Sequence, residues 1–249
     1  MIKIAPSILS ANLLKIKSEV EKVDKAGADY IHIDIMDGHY VPNITFGTNI
    51  VKCLRSITNK TLDVHLMISS ISQFIDNFIN AGADIVSFHP ETESNPKKII
   101  EIIKNSGCKC GIALHPKVEI KYIEKYIHLV DVVVVMTVIP GLGGQEFLKN
   151  QLPKISKLNE IRASKNLKFE IEIDGGVNQK TSKLCIKNGA DVLVAGSYIY
   201  DAPESQYKKL INSLRWNKTK KFSEIILNKN ISKAINKLNI NQSAKNDRS

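Results

Sequence analysis

The chain has 249 residues, of which 43% are hydrophobic and 24% charged, with a formal net charge of +10. That is enough apolar sequence for one large domain or two small ones, and no apolar run reaches the roughly 18 residues of a membrane span. The basic excess does not describe a nucleic-acid binder: residues 217–249 hold 8 Lys+Arg against 2 Asp+Glu, and no basic stripe interleaved with aromatics runs through the remainder.

The chain begins at once with a strand-like segment, "IKIAPSI" (2–8), rather than with a signal or transit peptide. Next comes "NLLKIKSEVEKVDKAG" (12–27), whose apolar residues recur at three- and four-residue spacing until Gly27, which predicts a helix. Strands follow at "YIHIDIM" (30–36) and "TLDVHLM" (61–67). The segment "SSISQFIDNFINAG" (69–82) predicts a helix opened by a Ser cap and ended by Gly82. After the strand "DIVSFHP" (84–90), "NPKKIIEIIKNSG" (95–107) places Asn95 at a helix cap, Pro96 in the first turn and Gly107 at the exit. Four more strands read as "KCGIALH" (109–115), "VDVVVVMTV" (130–138), "FEIEIDG" (169–175) and "DVLVAGS" (191–197), with helical periodicity between them.

The phrases "AGADY", "AGADI" and "NGADV" precede strands 2, 4 and 8, each giving a helix-ending Gly and then an Asp that opens the strand. Eight such units in the first 215 or so residues predict a single (β/α)8 TIM barrel. A doubly wound open sheet would show a Gly-rich turn after its first strand, and here "PSILSANL" follows it. Residues 1–216 are the expected barrel catalytic domain. Residues 217–249 are an expected Lys/Asn-rich extension, partly helical in "FSEIILNKNISKAINKLNI" and disordered in "NQSAKNDRS". Cys53, Cys108, Cys110 and Cys185 have no paired metal-site spacing and read as reduced thiols of a cytoplasmic protein.

Barrel chemistry belongs at the C-terminal ends of the strands. Alternation sends Ile31 and Ile33 outward and turns His32 and Asp34 inward; by the same rule Asp63 and His65 turn inward on strand 3, and Glu170, Glu172 and Asp174 on strand 7. Any one of these alone is more simply a satisfied core residue or, at Asp174-Gly175, a turn former. Two imidazoles and two carboxylates at one mouth, His32, Asp34, His65 and Asp174, point instead to one divalent metal ion per subunit. Zinc suits that set, with iron, manganese and cobalt left open. Strand 7 lies across the ring from strand 2, so Asp34 and Asp174 are placed to remove a proton from one face of a carbon and deliver it to the other. Gly141, Leu142, Gly143 and Gly144 after strand 6, Gly175 and Gly176 after strand 7, and Gly196 and Ser197 after strand 8 form loops whose backbone can approach a phosphate. Glu172 reads as a barrel network residue with a lysine partner, His39 as a rim residue, and His89 and His115 as satisfied polar residues near the cavity.

"IAPSILSANL", "HIDIMDGHYVPNITFG", "LDVHLMI", "PGLGGQ", "EIDGGVN" and "GADVLVAGS" together closely resemble the ribulose-phosphate 3-epimerase family, from residue 2 to about residue 215. The resemblance implies an isomerase of the pentose phosphate pathway that interconverts D-ribulose 5-phosphate and D-xylulose 5-phosphate. It implies His32, Asp34, His65 and Asp174 as metal ligands and Asp34 and Asp174 as the catalytic proton carriers. It implies Ser7 and His65 as substrate contacts, the glycine loops around the sugar phosphate, and Met36, Met67 and Met136 around the reacting centre. It also implies a homo-oligomer, dimer or hexamer. Thr137, Ile139 and Leu142 depart from the family's more usual Ser, Asn and Phe, and His115 from its usual Asn. Two alternatives are a 3-epimerase of a ketohexose 6-phosphate and a sugar-phosphate-binding barrel without activity.

Overall fold

Among the described residues, 1–215, of the structure, a computed structural model, eight strands run in the segments that alternation marks. They are β1 (Lys3–Pro6), β2 (Tyr30–Met36), β3 (Thr61–Met67), β4 (Ile85–Phe88), β5 (Lys109–Leu114), β6 (Val132–Met136), β7 (Glu170–Asp174) and β8 (Val192–Ala195). The helices between and after them are α1 (Ile16–Lys25), α2 (Thr48–Arg55), α3 (Ile75–Asn80), α4 (Pro96–Asn105), α5 (Ile120–Ile123), α6 (Leu152–Ser164), α7 (Gln179–Asn188), α8 (Ser197–Tyr200) and α9 (Tyr207–Leu214). All strand pairs are parallel, in the order β1-β8-β7-β6-β5-β4-β3-β2, and a parallel bridge from Ser7 to His32 spans the remaining seam. The sheet is thus a nearly closed (β/α)8 barrel, as the strand count predicts. The expectations for residues 217–249 lie outside the described residues.

The two faces of each strand have separate destinations. Ile31, Ile33, Leu62, Val64, Leu66, Ile171 and Ile173 are buried beneath the helices, and β6 is an unbroken run of buried valines, as a strand covered on both faces requires. On α4 the side chain of Asn95 accepts the amide of Lys98, Pro96 fills the first turn, and Ile99, Ile100 and Ile103 are buried. The expected Ser cap of the next helix upstream is corrected: Ser70 has φ 55°, makes no capping bond, and leads a 3-10 turn (Ile71–Gln73) before α3. A capping side chain needs extended backbone, and here Glu93 Oε1 instead accepts the Ser72 amide at 3.0 Å. No described helix is long and apolar enough to cross a membrane.

At the end of the barrel away from the loops, each even strand is fastened to the odd strand before it by the Asp that opens it. Asp29 Oδ2 accepts the Ile4 amide at 2.7 Å, Asp84 Oδ2 that of Leu62 at 2.8 Å, Asp131 Oδ2 that of Cys110 at 2.9 Å and Asp191 Oδ2 that of Ile171 at 2.9 Å. The backbone N–H of each Asp returns a bond to the carbonyl of the same residue. A carboxylate thereby satisfies the strand-end donor that no further strand residue can reach. Each Asp also meets one cation: Arg215 at 2.7 Å from Asp29, Arg55 at 2.8 Å from Asp84, Lys104 at 2.7 Å from Asp131, and Arg162 against Asp191. The Asp84→Ala variant strands the Leu62 amide and should lower unfolding stability by about 1–3 kcal/mol, seen as a fall in the urea midpoint. Turnover at the opposite end of the barrel should stay unchanged; an unaltered midpoint would show the clamp to be ornamental.

Candidate metal and active site

The strand registers stack the inward polar residues in layers. His32 lies beside Asp63 and Asp34 beside His65 across β2 and β3, while β7 brings Glu172 and Asp174 from the far side. Lys3, Tyr30 and Glu170 form the lowest layer: Lys3 Nζ lies 2.6 Å from the Tyr30 hydroxyl, which donates to Glu170 Oε2 at 3.0 Å. Above them His32, Asp63 and Glu172 are 0% exposed, and above those Asp34, His65 and Asp174 are at most 8% exposed.

The upper layer converges on one point. His32 Nε2 lies 3.4 Å from Asp34 Oδ1 and 3.8 Å from Asp174 Oδ2; His65 Nδ1 lies 3.4 Å from Asp174 Oδ2 and 3.7 Å from Asp34 Oδ1. All four donor atoms fall within 4.8 Å of one another. Both ring nitrogens are buried without a hydrogen-bond partner. A tetrahedral ion with bonds of ~2.1 Å holds its ligand atoms ~3.4 Å apart, so spacing, donor chemistry and the two orphaned nitrogens all fit a bound divalent cation. The four residues singled out from sequence are therefore brought together on one centre.

Three of the four, Asp34, His32 and His65, are held from behind. Ser7 Oγ donates to Asp34 Oδ2 at 2.6 Å, leaving Oδ1 to face the imidazoles. His32 Nδ1 lies 2.7 Å from Asp63 Oδ2, which fixes the ring with Nε2 toward the centre. His65 Nε2 lies 3.1 Å from His89 Nε2. Alternation alone puts Asp63 on the inner face without a role and makes His89 a satisfied polar residue near the cavity; the parallel pairing of His65 with Ser87, two residues before His89, is the signal that joins His89 to His65. The expected lysine partner of Glu172 is corrected: its ion-pair neighbour is His32 Nδ1 at 3.5 Å. Burial, and then the negative charge of Asp63, pushes the Glu172 carboxyl well above the usual range.

Burial pulls the His32 ring down, but Asp63 and Asp34 outweigh it and raise its pKa well above the ordinary value. Asp174 and Asp34 do the same for His65 against the same burial. Burial opposes ionisation of Asp34, yet His32 and His65 hold that carboxyl far below its usual range. Burial brings the neutral His89 down to about 4, and burial also lowers His115, which packs edge-on to His89 at 6.4 Å. His39 is exposed at the rim.

A cavity of about 580 Å³ opens beside Asp34. Its walls include Ser7, Leu142, Gly143, Gly144, Gly175, Gly176, Gly196 and Ser197. Gly141 does not line it; its carbonyl accepts from Asn43 Nδ2 at 2.9 Å. Gly175 and Gly176 adopt φ 119° and 63°, and a Cβ on Gly176 would lie 2.7 Å from the Phe147 amide nitrogen, so only glycine fits there. Met36 and Met67 pack with Val41, Leu9 and Tyr40, and Met136 packs with Val134, Val138 and Val194.

The model of the Ribulose-phosphate 3 epimerase family matches residues 3–200. The chain is 47% identical to the ribulose-phosphate 3-epimerase of Bacillus subtilis, over 88% of this chain and 100% of that one. It is 38% identical to the ribulose-phosphate 3-epimerase of Escherichia coli K12, over 85% and 94%. Among solved structures, KGPDC from Streptococcus mutans superposes with a TM-score of 0.64 at 16% identity, over 86% of this chain and 96% of that one, a likeness of fold.

The raised histidines set a pH dependence. In metal-free protein, a histidine with a raised folded pKa stabilises the fold fully below its ordinary 6.5 and loses that contribution as pH climbs through the folded value. Glu172, pushed upward, weakens the fold in the same direction. Metal ligation needs unprotonated imidazoles, so the metal-loaded form gains over that window. The rise in Tm on adding zinc should therefore grow as pH climbs above about 6.5, the ordinary histidine value. A rise independent of pH would show that His32 and His65 are not ligands.

Proposed function

The chain belongs to the ribulose-phosphate 3-epimerase family, and from that premise we propose that it interconverts D-ribulose 5-phosphate and D-xylulose 5-phosphate in the pentose phosphate pathway. The observation that carries this reading is the convergence of Asp34 and Asp174, from strands on opposite sides of the barrel, on the same two unpartnered imidazole nitrogens. Inverting a carbon requires a proton acceptor on one face and a donor on the other, and two carboxylates around one centre provide both.

In one direction Asp34 accepts the C3 proton and Asp174 delivers a proton to the opposite face of the enediolate; in the other direction the roles exchange. His32 and His65 favour the charged form of Asp34, and the Ser7 hydroxyl keeps its outer oxygen occupied. His32, Asp34, His65 and Asp174 would hold one divalent ion, with zinc favoured by the N2O2 donor set. When bound, such an ion supplies Lewis acidity that offsets the negative charge developing on the substrate oxygens. Met36, Met67 and Met136, each at most 3% exposed, keep water from protonating the enediolate at random. Gly143, Gly144, Gly175, Gly176, Gly196 and Ser197 offer backbone donors to the phosphate from the cavity wall. Ser7 and His65 touch the sugar in this reading. The enzyme works as a cytoplasmic homo-oligomer, dimer or hexamer, a point for sedimentation analysis.

The test is washout of the C3 hydrogen into deuterium oxide, assayed on the ketopentose phosphates and on a ketohexose 6-phosphate. The Asp34→Asn and Asp174→Asn variants should each lose about 1000-fold or more of epimerisation while keeping the wild-type circular dichroism spectrum. Near-normal turnover in either variant would end the two-carboxylate scheme. Exchange that persists at full rate after complete chelation would remove the ion from it.

A further inference from the structure

His89 is buried, lies outside the four donor residues and has no part in the proton transfer above. Its position is nevertheless specific. The His65 and His89 rings stack with centroids 5.1 Å apart and planes 29° from parallel, and their Nε2 atoms are 3.1 Å apart. His89 Nδ1 points toward Glu91 Oε1 at 3.4 Å, at the long end of contact and short of good hydrogen-bond geometry. The same carboxylate oxygen accepts the Tyr40 hydroxyl at 2.8 Å, and the Tyr40 ring packs on His89 at 4.7 Å. A chain of contacts thus runs from the centre through two imidazoles to a half-buried acid.

Donor inventory fixes the protons along this chain. Two ring nitrogens 3.1 Å apart form a hydrogen bond only if one carries a proton and the other does not. His65 presents Nδ1 to the cluster, and a ligating nitrogen must be bare. Its proton then sits on Nε2 and is donated to His89. His89 must therefore receive it on a bare Nε2 and carry its own proton on Nδ1, facing Glu91. His32 is fixed differently, by direct donation from Nδ1 to Asp63 at 2.7 Å.

We propose that His89 is a positioning residue that locks His65 in its metal-binding tautomer, with Glu91, itself anchored by Tyr40, setting the tautomer of His89. The inference rests on the reading of His65 as a metal ligand through Nδ1. It makes the two histidine ligands inequivalent: a carboxylate stiffens and enriches one, whereas a neutral imidazole holds the other and passes the demand on to a residue at the rim. Removing an outer partner of this kind weakens metal binding by about 10–100-fold.

The direct test uses the zinc-loaded wild-type protein. Two-bond proton–nitrogen NMR should place the His65 proton on Nε2 and the His89 proton on Nδ1; a His89 proton on Nε2 overturns the proposal. Competition for zinc against a chromophoric chelator should show His89→Phe about 10–100-fold weaker than wild type, with His89→Gln, which keeps an acceptor, recovering much of the loss. The visible spectrum of the cobalt-loaded His89→Phe protein should shift, which a merely space-filling residue would not cause. Zinc affinity within twofold of wild type in His89→Phe, with an unchanged cobalt spectrum, overturns it. Should His89→Phe not fold, the NMR assignment on the wild type decides. A wild-type protein that takes up neither zinc nor cobalt would overturn the metal reading and this inference together, and is told apart by that result.

Discussion

The site depends on two imidazole nitrogens that have been taken out of water and given nothing to bond. Leaving a buried polar atom unpaired costs about 1–3 kcal/mol, and the barrel does so twice around one centre, beside two carboxylates that would repel each other if both were charged and alone. A divalent ion held by His32, Asp34, His65 and Asp174 would relieve this strain. The surrounding groups are arranged for that solution: Ser7, Asp63 and His89 each engage the far side of a ligand and leave its near side bare. The same atoms that would make a poor protein core make a good cation site.

The parallel ladder turns this local arrangement into a site with two sides. Its registers set Asp34 beside His65 on adjacent strands, and the curvature of the sheet carries Asp174 round to meet them. A single strand could place an acid and an imidazole two residues apart, but only a sheet bent back on itself can put a second acid opposite the first. The glycine loops after β6, β7 and β8 lie on the same mouth and line one cavity with Asp34. The opposite mouth carries the ion-paired aspartates and the Lys3, Tyr30 and Glu170 group, with stabilising contacts kept away from the chemistry.

Much of this was legible in the sequence because strand alternation is strict. Period two is enough to turn His32, Asp34, His65 and Asp174 inward, and eight strand–helix units are enough to put their ends together. What was not legible depends on relative height and on side-chain direction. Glu172 invited a lysine, and it is instead a neighbour of His32, because the stagger of β7 against β2 cannot be read from either strand alone. The contact of His89 with His65 needs the pairing of β3 with β4, and its link to Glu91 and Tyr40 joins two loops far apart in the chain. Asp131 escaped notice because no glycine precedes it, although it does the same work as Asp29, Asp84 and Asp191. Ser70 looked like a cap by identity, while its left-handed backbone makes a cap impossible.

The four strand-opening aspartates have a wider meaning when their cations are traced. Each carboxylate joins two strands of one quadrant, and its cation comes from the helix that ends the quadrant before: Arg55 on α2, Lys104 on α4, Arg162 on α6, and Arg215 just beyond α9. The arrangement is cyclic, and the seam between β1 and β2 is its last joint, closed by Asp29 on one side and by Arg215 reaching the carbonyls of Ile2 and Gly27 on the other. A ring built this way has no privileged starting quadrant. The two ends of the barrel segment, at Ile2 and Arg215, meet at a keystone, and the same wheel could be assembled from a polypeptide opened at another spoke.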